Sequence, residues 1–175
     1  MKLLKENQLA LTMLAHRVFD AFVSMPKNIR PDEKERTGAH IVVTHQDEFL
    51  FVPVYLPSDR AIHYSHEKLV RAGINQHCSS QNTRDIKKKQ FAGMLGIAGF
   101  KGDAFSYVLQ VSTSGLKEPE DVAMDIIFIA WFYNMSTSAT KKMVASFGAE
   151  LPEEFDDPNH YINRIFARYD DGEFV

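Results

Sequence analysis

Apolar positions along the chain fall into blocks of different period, and the densest block lies past the middle. From Ile126 to Tyr133 every residue is apolar or aromatic. Pro119 suits a first helical turn, Glu120 and Asp121 place negative charge where the helix dipole favours it, and Asn134 with Ser136 and Ser138 supplies a polar stop. The pattern predicts a helix over 119–134. A membrane span needs roughly 20 apolar residues, so this shorter run predicts a helix buried in a protein core, with the rest of the chain arranged around it.

Upstream, Leu11, Leu14, Val18, Ala21 and Phe22 recur at helical spacing opposite Gln8, Thr12, His16 and Asp20, which predicts an amphipathic helix over 3–24 ended by Pro26. The connection 27–38 carries seven charged side chains and Ile29 as its sole large apolar residue, the composition of a mobile charged loop. Two β-rich runs, 40–44 and 49–56, flank a short polar link and predict a hairpin. Pro53 cannot donate to a ladder, so the second strand is expected at an edge or with a bulge. Residues 58–72 read either as one helix or as a strand through Ile62 and Tyr64 followed by a helix, closed by Gly73 in both versions.

Residues 75–83 are polar and loop-like, after which Phe91, Met94, Leu95 and Ala98 fit one helix face. Gly93, Gly96, Gly99 and Gly102 follow at intervals of three, a spacing that lets another backbone approach a helix closely. Two outcomes follow from such a stripe: packing against the central helix, or a helix contact between two copies in a homodimer. Phe105, Tyr107, Leu109 and Val111 alternate with polar residues and predict a strand over 105–111. Beyond the central helix, Ala139, Met143, Val144 and Phe147 mark a further helix ending at Gly148, and Tyr161, Ile162, Ile165 and Phe166 a last one over 160–169, leaving 170–175 as a tail. The predicted fold class is α+β: a three- or four-stranded, mainly antiparallel sheet with helices packed on one face around the helix at 119–134. Ile127 and Trp131 share a helix face and are expected to pack against the hairpin through Val42 and Phe51.

Composition adds bounds. A chain of 175 residues, 45% hydrophobic with 13 Phe, suits one domain, 1–175, that folds without staples. The lone cysteine, Cys78, excludes an internal disulfide, and the first residues lack a secretory apolar run, which together predict a cytoplasmic protein. Charge is uneven. Residues 84–101 hold five cations against Asp85, net +4, whereas the acidic C-terminal segment 150–175 holds eight acids against Arg164 and Arg168, net −6.

No complete catalytic, metal or cofactor signature is present, and no cofactor is expected. His63, His66 and Glu67 would share a helix face and, with His77, Cys78 or the His40 and His45 pair, are the candidate metal or catalytic residues; His63, His66 and His77 are the candidate metal ligands. Their order matches neither H-E-x-x-H nor H-x-x-E-H. Cys78 near a helix start and lysines has the setting of a lowered thiol pKa, and His160 is the distant candidate base. Arg84, Lys87, Lys88, Lys89 and Lys101 form a basic, glycine-lined stretch suited to phosphates. Within it, 99–102 is a GxxG with a lysine, superficially like the loop of KH domains, though a KH loop leads into a helix and 105–111 alternates as a strand. The sequence leans away from an enzyme. It favours a protein-binding or regulatory module of adaptor, inhibitor or immunity type, acting through charged and aromatic patches. Nucleic-acid binding through 84–102 is the alternative, and a small metal- or Cys-dependent enzyme the second alternative.

Overall fold

The structure, a computed structural model, describes residues 5–45, 48–75, 94–101, 104–146 and 149–175. Five α-helices and four strands follow one another along the chain: α1 (Gln8–Val23), β1 (Gly38–His45), β2 (Glu48–Tyr55), α2 (Asp59–Asn75), β3 (Met94–Lys101), β4 (Ala104–Ser114), α3 (Glu118–Tyr133), α4 (Thr137–Ser146) and α5 (Tyr161–Asp170). The strands form one antiparallel sheet in the order β2-β1-β4-β3. The fold is α+β, with a central buried helix.

That helix is α3, and thirteen of its residues from Glu120 to Phe132 are buried. The Glu120 carboxylate accepts the Lys117 N–H (3.1 Å) at its start, and Asn134 ends it in the left-handed conformation, φ 52° and ψ 51°. α3 packs over β4 and β3, α1 covers β2, and α4 and α5 close over α3. Val42 and Phe51, the hairpin residues expected against Ile127 and Trp131, do not join the core that holds those two side chains. Strand alternation sends Ile41, Val43, Leu50 and Val52 into the main core, whereas Phe51 is exposed and Val42 is buried on the opposite face. α2 lies across that opposite face and packs on β1 and β4. β1 is therefore buried at every position.

The helix expected through Phe91, Met94, Leu95 and Ala98 is, from Met94 onward, strand β3, paired with β4 from Met94↔Ser112 to Lys101↔Ala104 with an irregularity between Ile97 and Ala98. A short apolar run does not reveal its own period. Gly96 and Gly99 cost a helix roughly 1 kcal/mol each relative to Ala, and β4 offers a ladder that a helix here would leave unpaired. The basis for a glycine-mediated helix contact between two copies goes with that helix. Residues 58–72 resolve as one helix, which starts with the Ala61 N–H on the Ser58 hydroxyl (3.1 Å) and runs through Gly73 to Asn75 instead of stopping at the glycine. β2 is an edge strand, the first of the two placements expected from Pro53.

Within 27–38, Lys27, Glu33, Lys34 and Glu35 are exposed, whereas Arg30 is buried and the carboxylate of Asp32 is only 8% exposed, both in ion pairs described below. The residues read as a tail also dock. Phe174 is buried, its carbonyl accepts from Arg17 of α1 (3.2 Å), and the Arg168 guanidinium lies 4.9 Å from its ring centroid. No helix among the described residues is long and apolar enough to cross a membrane.

Candidate functional site

α2 separates the histidines that sequence spacing placed together. His63 points outward, its side chain 72% exposed, with Nε2 3.4 Å from Glu67 one turn on. His66 turns to the sheet and stacks against His40 and Phe51, ring centroids 5.2 and 5.1 Å away and ring planes within 26°. The Nδ1 of His66 donates to the Ile62 carbonyl (2.7 Å). Ser65 is fully buried and gives its hydroxyl hydrogen to the same carbonyl (2.8 Å), so His40 Nδ1, 2.7 Å from Ser65 Oγ, is the donor in that pair. Burial, with the charge of His66 nearby, pushes the His40 imidazole below its ordinary pKa. A buried serine whose hydrogen is committed to a carbonyl is no nucleophile. The three rings are a packed stack beside β2.

No group of three metal-ligating side chains forms among the described residues. His77, Cys78, Arg84, Lys87, Lys88 and Lys89 lie outside them, and Lys101 is the last residue of β3. His160 stands at the start of α5, where its Nδ1 accepts the Ile162 N–H (3.4 Å) and its ring lies 4.4 Å from that of Tyr161. With Nδ1 so placed, His160 caps the start of α5. It borders an open cavity of about 650 Å³ rimmed by Lys117, Arg164, Glu154 and Asp157.

Among the described residues, the largest concentration of buried charge sits where the sequence showed only helix-dipole acids, at the first two turns of α3. Arg30 clamps Glu120 with two bonds, Nε to Oε1 (2.6 Å) and NH2 to Oε2 (2.7 Å), and reaches Asp32 at 3.0 Å. The Tyr161 hydroxyl donates to the same Glu120 Oε1 (2.7 Å), and desolvation together with that bond raises the phenol pKa. Asp32 continues to Arg36 (2.8 Å), which also donates to the carbonyls of Gly115 (3.2 Å) and Leu116 (2.9 Å). Burial works to raise the Asp32 pKa, but the bonds from Arg36 and the Lys34 N–H and the two guanidinium charges outweigh it and hold the carboxyl below the usual range.

A second limb begins at Lys68 of α2, which donates to the Thr113 carbonyl (2.8 Å) and lies 3.6 Å from Asp121. Asp121 Oδ1 accepts the Leu116 N–H (3.0 Å), and Asp125, one turn deeper, accepts the Thr113 hydroxyl on Oδ1 (2.6 Å) while its Oδ2 has no partner. Desolvation pushes the Asp121 pKa up to about 6 against the pull of Lys68, and pushes that of Asp125 well above the ordinary carboxylate value. Asp121 and Asp125 are four apart on a helix apolar on every side. An acid on such a helix has no solvated face to occupy and must find a buried partner, and this signal was available in the sequence.

β2 presents the other feature. Leu56 donates to the Thr37 carbonyl (3.1 Å), which with the register Gly38↔Tyr55 to His45↔Glu48 sets the phase of the ladder. Phe49, Phe51, Pro53 and Tyr55 then occupy the non-hydrogen-bonded positions, where backbone N–H and C=O groups turn away from β1 toward the outer edge, which no strand among the described residues pairs. Pro53 sits where its missing N–H costs no bond to β1. Phe49 is 56% and Phe51 47% exposed, and Pro53 and Leu56 are exposed beside them. No family model, curated protein or solved structure matches this chain.

Proposed function

We propose that this chain is a protein-binding or regulatory module whose partner lays an extended segment along the outer edge of β2, which no strand among the described residues pairs. The observation that carries the reading is the coincidence, on one edge strand, of outward-facing backbone groups with the exposed rings of Phe49 and Phe51. Long apolar edge strands template pairing with other chains, and proteins normally blunt them with lysines or cover them. β2 has no lysine, and Pro53 blunts its second half alone. An added strand would gain main-chain bonds at Phe49 and Phe51, while the two rings and His66 behind them would select its apolar side chains.

The test is selection of extended peptides from a random library against the wild-type chain, with Phe51→Asp as counter-target. Bound peptides should protect the amide hydrogens of Phe49 and Phe51 from exchange and leave those of Leu50 and Val52, already bonded to β1, unchanged. Binders that ignore Phe51→Asp, or protection confined to another surface, would refute the proposal. A complex of two copies would make the partner a second chain of the same sequence.

A further inference from the structure

Between the end of β4, the first turn of α2 and the connection into β1 lies an open cavity of about 340 Å³. Ser114 lines it, is 8% exposed, and its hydroxyl has no hydrogen-bond partner among the described residues. Strand alternation puts Ser114 on the same side as Gln110 and Ser112, so the hydroxyl faces α2 across the cavity. Arg60 and Lys34 also line it, and neither cation is paired with a carboxylate among the described residues. Arg60 instead lies 5.2 Å from the Tyr64 ring centroid. The backbone N–H of Arg60, in the first turn of α2, is beyond the reach of any acceptor in its own helix.

Two acids line the same cavity. Asp121 at the inner wall is already met by Lys68 and the Leu116 N–H, and Arg36 is committed to Asp32 and two carbonyls. Glu35 stands at the exposed rim. Among the described residues, the groups left uncommitted at the cavity are the Ser114 hydroxyl, the Arg60 N–H and guanidinium and the Lys34 ammonium, with the exposed Glu35 carboxylate as the one acid beside two equally exposed cations.

We propose that this cavity binds an oxyanion head group of the phosphate class, held by the Ser114 hydroxyl, the Arg60 side chain and N–H, and Lys34. Such a group has acceptors for all of these donors, and its bonds to the two cations are charge-assisted. The site is separate from the β2 edge and stands or falls without it.

Sulfate is the first probe, since its charge is constant across neutral pH, and it is titrated at fixed ionic strength while backbone amide shifts are followed. Saturable shifts centred on Arg60 and Ser114 are expected. Arg60→Gln and Ser114→Ala should each weaken binding about tenfold, the loss expected of one charge-assisted or buried hydrogen bond. Lys142→Gln, on the exposed face of α4, should leave it unchanged. A phosphate monoester that binds more tightly than inorganic phosphate would identify an organic phosphate as the ligand, and equal affinity a free anion. Shifts that do not saturate, or that survive both Arg60→Gln and Ser114→Ala, would overturn the proposal and leave only diffuse attraction to surface cations.

Discussion

Asp125 lies fully buried on α3 with one oxygen on the Thr113 hydroxyl and the other unpartnered, and its pKa stands well above the ordinary 3.8. A raised carboxyl means that the folded chain holds a proton the unfolded chain has released. Its favourable contribution is complete below pH 3.8 and is lost as pH rises through the folded value; for Asp121 the window closes near pH 6. Asp125→Asn fixes the neutral form in nearly the same shape. It should raise stability over the wild type by on the order of 1–3 kcal/mol at pH 8 and by much less at pH 4. Urea midpoints at the two pH values check this, and an equal difference at both would show that Asp125 does not change ionisation on folding. Arg30 behaves in the opposite sense, because its loss strands Glu120 in the interior. Arg30→Met should cost ~3–5 kcal/mol, and adding Glu120→Gln should recover part of it. A double variant no more stable than Arg30→Met would place the cost in packing and not in the abandoned charge.

At the scale of elements, helix and hairpin boundaries followed from residue chemistry. Pro119 and Asn134 bracket α3, and Pro53 puts β2 at an edge because no inner strand can spare the donor. β3 failed for a reason of the same kind seen from the other side: Met94 to Phe100 is short, apolar and glycine-interrupted, and only the neighbouring β4 makes it a strand. The turn after β4 also depends on tertiary contact. Gly115 has φ +133°, and a Cβ there would meet the Gly38 carbonyl oxygen at 2.6 Å and Ala39 Cα at 2.7 Å. Gly115→Ala therefore combines backbone strain with a collision against the start of β1, and should cost roughly 1–3 kcal/mol or more. A thermal midpoint equal to that of the wild type would show that the turn relaxes freely.

For the whole molecule, the sheet has two unlike faces. Toward α3 it is mostly apolar, with Thr113 bonded to Asp125 and His45 as the polar positions; toward α2 it carries His40, Thr44, Gln110, Ser112 and Ser114, all buried, with Ser112 Oγ and Gln110 Nε2 unpartnered. Both proposed surfaces lie at the margins of that polar face, one at the β2 edge and one beside Ser114. The sequence by itself determined the α+β class, the buried central helix, the hairpin and the edge strand, because each follows from periodicity or from what proline and glycine permit locally. Only the tertiary structure decided which histidines meet, since His63 and His66 are three apart on one helix yet face solvent and sheet respectively. It also decided that Arg30, ninety positions from Glu120, would close a buried ion pair. Side-chain pairing across elements depends on packing geometry and desolvation, and neither is encoded in the spacing of residues along one segment.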